Sequence, residues 1–278
     1  MTKEPFINND FKEAVESHIF GNLLIKDTYS PLILGIFGPP GEGKTFQLEQ
    51  VCRSLDIQQT IISPGELESP NAGHPAFLLR QGYLEAGSIR PDCATLKPAV
   101  LVINDIDTVL GNWGELVQYT VNRQTLYGQL MAFCDKPNLV SKMATKRVPI
   151  IITGNNPSIL YQPLLRAGRM RILSWIPTVK DKLLIVSRIF TGIPETQLKC
   201  LIKKYPGQPV SFWSDINARF REDQLNMWLK SQEKSVLLRL LQSRQEKEWT
   251  GKEATFDDVK KIAHTLSIVD IRQKSFVR

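Results

Sequence analysis

Cysteine and histidine are scarce in this chain and nowhere grouped. Cys52, Cys93, Cys134 and Cys200 are the only thiols in 278 residues, and His18, His74 and His264 the only imidazoles. None falls at the close spacings that hold zinc or an iron–sulfur cluster, so a metal centre of that kind is excluded and buried, reduced thiols are expected. No apolar run approaches the roughly 20 residues that a membrane-spanning helix requires, which argues against a membrane partner. The opening MTKEPFINND is too polar for a secretory signal, and the expected location is cytoplasmic. Internal repeats and low-complexity tracts are missing as well. What remains is the composition of a folded soluble protein, 42% hydrophobic and 23% charged.

Acidic residues are the scarcer sign. Thirty-five Lys and Arg against 28 Asp and Glu leave a formal charge of +7, which favours acidic partners: nucleic acid, or an acidic protein surface. The basic residues come in short groups such as Lys142/Lys146/Arg147 and Lys199/Lys203/Lys204. Solvated helix faces account for these as well as a nucleic-acid track does, and no helix-turn-helix supports the latter.

Along the chain, an entry helix from Phe11 to about Leu24 precedes a turn at Ser30-Pro31. Strands and helices then alternate, the pattern of a parallel sheet with covering helices. Strands are expected at Leu32–Phe37, Gln59–Ser63, Ala99–Asn104, Val148–Thr153 and Met170–Trp175. Helices are expected at Thr45–Leu55, Ala76–Ala86, Gln118–Cys134 and Ser158–Leu165. Beyond Pro177 only helical patterns follow: Lys180–Phe190, Glu195–Lys204, Ser211–Phe220, Glu222–Arg244 and Thr255–Leu266. Three parts are thus expected: an entry segment 1–30, an α/β nucleotide-binding domain 31–178 and a smaller all-helical domain 179–278.

The most specific feature joins the first strand to its helix. Gly38-Pro39-Pro40-Gly41-Glu42-Gly43-Lys44-Thr45 matches the phosphate-loop pattern G-x-x-x-x-G-K-[ST]. Its glycines let backbone N–H groups turn towards phosphate oxygens at a helix N-terminus. Lys44 is expected on the β- and γ-phosphates, Thr45 on Mg²⁺, and Phe46 beside the nucleotide; the ligand is ATP or GTP. The strand at 99–103 delivers Asn104-Asp105-Ile106-Asp107 where such ATPases hold an acidic pair beside Mg²⁺ and the attacking water. Asn104 stands where an Asp usually supports the metal's water shell, and Asp105 where a longer Glu usually polarises water, so hydrolysis is expected to be slow. The strand at 148–153 ends at Gly154-Asn155-Asn156-Pro157, with Asn155 placed to hold water against the γ-phosphate; ordinary turn chemistry is the rival reading. Arg166 and Arg169, three apart at a helix-to-strand junction, suit fingers reaching into a neighbouring subunit's site. A surface salt bridge is the alternative.

This order of features resembles the AAA+ ATPases, and within them the Rubisco activases. The stretches carrying the resemblance are Gly65–Gly73 (Gly-Glu-Leu-Glu-Ser-Pro-Asn-Ala-Gly), Ile103–Asp107, Gln118–Asn122, Arg147–Asn155, Leu160–Met170 and Tyr205–Gln208. The resemblance implies an ATP- and Mg²⁺-dependent motor assembled as a homo-oligomer, a hexameric ring, which pulls the Rubisco large subunit to free it from inhibitory sugar phosphates. It implies that Asp105 activates water, that Asn155 senses the γ-phosphate and that Arg166 and Arg169 act in trans. Arg219, in the stretch Phe212–Arg219, matches a sensor arginine. It also implies a first pore loop carrying Glu66, Leu67, Glu68, Asn71, Ala72 and Gly73, and a second carrying Asn112 and Trp113. Plastid stroma becomes an alternative location.

Departures from the family pattern keep another protein client, or a nucleic-acid switch, open as readings. The phosphate loop has Pro39-Pro40-Gly41-Glu42 where activases carry a Lys. Trp113 and Leu116 replace a Gly-rich loop, and the Lys/Arg/Gln-rich stretch from Met227 to Gly251 does not match the family's client-choosing region. Nothing answers to the N-terminal extension of plant forms, so a type without it is expected.

Overall fold

The apolar runs 33–37, 99–103 and 150–154 become three adjacent strands in the computed structural model, which describes residues 4–26, 28–67, 71–88, 97–110, 117–243 and 251–276. These strands are β1 (Ile33–Phe37), β3 (Ala99–Ile103) and β6 (Ile150–Gly154), and every residue in them is buried. They form the middle of a five-stranded sheet ordered β2-β3-β6-β1-β7, with edge strands β2 (Gln58–Ile62) and β7 (Met170–Ser174). All pairings within it are parallel. Runs apolar on both faces need cover on both sides, which the crossover helices supply.

Alternation along the strands divides that cover. Leu34, Ile36, Val100, Val102 and Ile151 pack against α1 (Asn9–Leu23) and α2 (Lys44–Ser54) through Phe11, Val15, Ile19, Leu48 and Val51. Ile33, Phe37, Leu101, Ile103, Ile150 and Ile152 face Leu79 and Tyr83 of α4 (His74–Ala86) and Leu126, Leu130 and Phe133 of α6 (Val117–Asp135). The entry helix is therefore part of the α/β body. Phe11, Val15 and Ile19, four apart, put a buried stripe on the sheet, and the Asn8 side chain caps it by accepting from the Phe11 N–H at 3.0 Å.

Two compact units divide the chain, Ile7–Ile176 and a helical one from Pro177 onward. The second contains α7 (Val179–Ile189), α8 (Glu195–Lys204), α9 (Val210–Ser231), α10 (Lys234–Gln242) and α11 (Phe256–Phe276). Trp213, Ile216, Val186, Phe190, Leu198 and Val259 lie in its core.

Several expected elements are corrected. One unbroken α9 replaces the two helices expected to meet near Arg221, because no Gly or Pro interrupts 210–231; the break falls at Gln232, whose backbone is extended. The helix expected over Ser158–Leu165 is two 3₁₀ turns, Pro157–Ile159 and Gln162–Leu165, since Pro163 cannot donate the hydrogen bond that a continuous helix needs. A small antiparallel hairpin, β4 (Leu139–Val140) with β5 (Met143–Ala144), was not expected at all. Its two turn residues, Ser141 and Lys142, both take positive φ, and neither residue type advertises that conformation. Two short helices, α3 (Pro64–Leu67) and α5 (Ile106–Leu110), complete the elements of the α/β unit.

Candidate functional site

The loop between β1 and α2 holds the shape its glycines permit. Gly41 and Gly43 take φ of 73° and 80°, in the left-handed region, and Gly43 caps an 11-residue helix. Gly38 is needed for a different reason: a Cβ there would lie 1.9 Å from the Trp175 carbonyl oxygen. Trp175 clasps the loop from both sides, its backbone N–H donating to Phe37 O at 2.7 Å and its indole N–H to Glu42 O at 2.8 Å. Thr45 is half-buried at the start of α2 and Phe46 is exposed beside it.

Lys44 is only 6% exposed, yet its ammonium is fully engaged. It donates to Gly38 O (2.8 Å), Pro39 O (3.0 Å) and Asn155 Oδ1 (3.1 Å). Burial pushes its pKa below the ordinary lysine value, opposed by the carboxylates of Asp105, Asp107 and Glu42. The phosphate loop and the end of β6 thus meet at one cation, in the place where a polyphosphate would replace the loop carbonyls as its partner.

The ends of β3 and β6 form the other wall. Asp105 is exposed and takes φ of 45°, an uncommon conformation for a residue other than glycine. Its N–H donates to the Thr153 hydroxyl at 3.0 Å, and that hydroxyl donates to Asn104 Oδ1 at 3.3 Å. Asp107 Oδ2 accepts from the Asn155 N–H at 2.8 Å. Lys44, Asp105 and Asn155 therefore come together, with Asn104 and Thr45 alongside. Phosphates fit the loop, because the left-handed glycines and the helix start present donors while Lys44 supplies charge. For Mg²⁺ the residues that fit are the Thr45 hydroxyl and the Asp105 carboxylate. Asn104 Oδ1 accepts one hydrogen bond, from the Thr153 hydroxyl, and keeps a lone pair for metal-bound water.

The two arginines divide. Arg169, whose side chain is 23% exposed, donates to both carboxylate oxygens of Asp135 at 3.1 and 3.2 Å and to Pro163 O at 3.1 Å. This is the salt bridge of the rival reading, and it binds the end of α6 to the start of β7. The Arg166 side chain is exposed and has no hydrogen-bond or ion-pair partner among the described residues.

Comparison with known proteins supplies the family. Residues 34–178, just over half of the chain, match the family described as "ATPase family associated with various cellular activities (AAA)". The chain belongs to the AAA ATPases. Over 233 residues it is 40% identical to "Ribulose bisphosphate carboxylase/oxygenase activase, chloroplastic" of Phaseolus vulgaris, an alignment covering 81% of this chain and 52% of that protein. Similarity is of the same order to activase 2 of Larrea tridentata (40% over 233 residues, 81% and 53%) and to the activase of Spinacia oleracea (39% over 235 residues, 81% and 49%). The chain spans about half the length of the curated relatives it matches. The matched AAA region runs from β1 to just beyond β7, and the helical region follows it.

Within this AAA chain, the segment expected as a first pore loop is more anchored than a gripping loop would be. Leu67, expected on that loop, is 2% exposed and lies in the same core cluster as Leu79. Glu66 is spent locally, accepting from the N–H and hydroxyl of Ser63 at 2.7 Å each, contacts that hold its carboxyl below the ordinary value. Asn71 and Ala72 are exposed, while Gly73, with φ of 81°, is held by its N–H donating to Asn122 Oδ1 at 3.0 Å. Glu68, Asn112 and Trp113 lie outside the described residues. Arg219 is on the solvent face of α9, 3.3 Å from Asp215.

Three residues that shape the site went unassigned by sequence reasoning: Thr153, Asp107 and Trp175. A signal existed for two of them. Thr153 is the one hydroxyl in the buried run 150–154, and Asp107 is a second carboxylate two residues beyond Asp105. Trp175 gave none, because its contact to the phosphate loop spans 133 residues.

Proposed function

We propose that this chain is an ATP-hydrolysing protein remodeller of the Rubisco activase type, using Mg²⁺ and working as a homo-oligomeric ring, most simply a hexamer. The observation that carries the reading is the meeting of Lys44, Asp105 and Asn155 at the joined ends of β1, β3 and β6. Lys44 exchanges its loop carbonyls for β- and γ-phosphate oxygens. Thr45 and Asp105 hold Mg²⁺, which when bound neutralises phosphate charge. The Asp105 carboxylate accepts a proton from the attacking water and Asn155 orients that water on the γ-phosphate side. Arg166 of one subunit supplies positive charge to its neighbour's site, and Arg219 serves as the second sensor. The client is Rubisco carrying tight-binding sugar phosphates, gripped through the exposed Asn71 and Ala72 and the loop of Asn112 and Trp113. The protein works in the plastid stroma or the cytoplasm.

The test is direct. Purified protein should hydrolyse ATP only with Mg²⁺ and restore carboxylation by sugar-phosphate-inhibited Rubisco. Hydrolysis without any reactivation would favour the second reading, a different protein client. One observation supports that alternative: the end of α9 and α10 expose Met227, Leu229, Val236, Leu238 and Leu241 among Lys and Arg, in the stretch where the sequence departs from the family.

A further inference from the structure

Backbone pairing between β3 and β6 stops two residues before Asp105 and three before Asn155. The ladder's last register pair is Ile103 with Ile152; Asn104 and Thr153 come next, with Asp105 and Asn155 just beyond them. Two side chains take over where the ladder ends, and they run in opposite directions. From β6, the Thr153 hydroxyl accepts the Asp105 N–H. From the β3 side, Asp107 Oδ2 accepts the Asn155 N–H.

We infer that Thr153 and Asp107 form a reciprocal clasp, two positioning residues that make the water-activating Asp105 and the γ-phosphate-sensing Asn155 a single moving part. This rests on the ATPase reading above. Six observations carry it. Thr153 is completely buried, so its hydroxyl serves the protein and not solvent. The residue it holds, Asp105, sits in a left-handed conformation that needs an external tie to persist. With its lone pair given to Asp105 N–H, the hydroxyl sends its own proton to Asn104 Oδ1, fixing that amide with its NH₂ group turned away from Thr153. On the other side, Gly154 makes room: a Cβ there would lie 3.1 Å from Asp107 Oδ1 and 2.8 Å from the Phe37 ring. Asp107 Oδ1 is buried and has no hydrogen-bond partner among the described residues, where the carboxylate's one hydrogen bond is the Asn155 N–H to Oδ2. Asn155 in turn holds Lys44, which completes a path from the Asp105 backbone to the phosphate loop.

The clasp is tested with four single variants and one double variant of the full chain, beside the wild type. Thr153→Val keeps the shape and removes the hydroxyl; Thr153→Ser keeps the hydroxyl. Asp107→Ala removes the acceptor; Asp107→Asn keeps an acceptor oxygen. Thr153→Val and Asp107→Ala should each lower kcat by about 10–100-fold, the scale of a small misplacement, with KM for ATP changed less than about threefold. Ser and Asn should restore kcat to within about fivefold of wild type. Because both variants open one device, the double Val/Ala variant should be no slower than the slower single. Melting temperatures measured alongside separate a folding failure from a positioning failure. A second readout needs no turnover: the ratio of affinities for a non-hydrolysable ATP analogue and for ADP should fall in Asp107→Ala towards 1. Wild-type kcat in Val and Ala, equal losses in Val and Ser, or an unchanged affinity ratio would overturn the clasp. A wild-type protein that binds both nucleotides yet never hydrolyses ATP would instead overturn the ATPase reading, and the affinity ratio alone would then judge the clasp.

Discussion

The two ends of the same sheet are built to opposite rules. At the ends where β1, β3 and β6 finish, polar groups are exposed, strained or tied to the loop: Asp105 is exposed at φ 45°, Lys44 is buried against loop carbonyls, and Asp107 Oδ1 has no hydrogen-bond partner among the described residues. At the ends where β6 and its neighbours begin, equally polar groups are buried and paired. His18 Nε2 donates to Ile150 O at 3.2 Å, and the Asn22 amide donates to His18 O at 2.9 Å and Pro31 O at 3.1 Å. Arg147 donates to Asn22 Oδ1 at 2.7 Å and Ser30 O at 2.8 Å, and the Tyr83 hydroxyl accepts from the Val148 N–H. Titratable groups alone therefore do not mark a site. What separates the ends is whether the groups stay exposed, as Asp105 does, or, like Lys44, are tied to loop carbonyls that a phosphate can displace.

The sharpest exception to this comparison is Arg166, which lies just before β7 begins, level with the start of β1, yet is exposed. Arg166→Ala should lower turnover about 10³–10⁵-fold while nucleotide affinity stays within a few-fold of wild type. Mixing it with Asp105→Asn protein should recover activity, because each supplies the half-site the other lacks; no recovery in co-assembled mixtures would deny action between subunits. Next in size is Lys44→Ala, expected to weaken nucleotide binding by roughly 10²–10³-fold, the scale of losing one charged donor. Titration calorimetry with ADP reads it directly, and the thermal stabilisation that ADP gives the wild type should vanish. Normal affinity in that variant would remove Lys44 from the site.

The opposite end gives a stability effect and no effect on binding. Burial, with Arg171 and Arg147 nearby, lowers the His18 pKa to about 3, although its hydrogen bond to Ile150 O opposes the shift. The unfolded chain protonates this residue near 6.5 and the folded chain does not, so stability is fully present above pH 6.5. It falls as pH drops below that value, by up to about 1.4 kcal/mol per pH unit, until the folded form titrates near 3. His18→Gln keeps a donor for Ile150 O and should flatten this acid limb in urea melts at pH 5 and 8, leaving ADP affinity at pH 8 unchanged. A limb as steep as in the wild type would mean that His18 is not the group responsible.

How much of this was legible follows from the range of the interactions. The loop of Lys44 and Thr45, the sheet and the ends bearing Asp105 and Asn155 could be read from sequence, because strand, turn and helix are neighbours there and each carries its own local pattern. The tie between Thr153 and Asp105 crosses 48 residues, and that between Trp175 and Glu42 crosses 133. Such contacts depend on strand order, which periodicity does not encode. The burial of Leu67 was missed because a family loop assignment ignores which side chains in the loop face inward; a lone leucine between two glutamates is as readily a core plug as a gripping residue. The break in α9 was misplaced for want of any Gly or Pro to mark it.

The smallest effect is the most discriminating. Arg169 and Arg166 are three residues apart, and sequence gives them one role, whereas the structure spends Arg169 on Asp135 and Pro163 O. Because Asp135 is 57% exposed, solvent screens the pair, and Arg169→Ala or Asp135→Ala should each lower unfolding free energy by about 1 kcal/mol or less. A double-mutant cycle should return a coupling of a few tenths of a kcal/mol to about 1, showing that the two side chains act on each other. Turnover should fall less than about tenfold in either variant, through a loosened junction between α6 and β7 that displaces Arg166. If Arg169→Ala instead loses 10³-fold or more in turnover with an unchanged melting temperature, while Asp135→Ala keeps full activity, then Arg169 leaves Asp135 in the active protein. Both arginines would then be fingers, and the exposed Arg166 would lose its distinction.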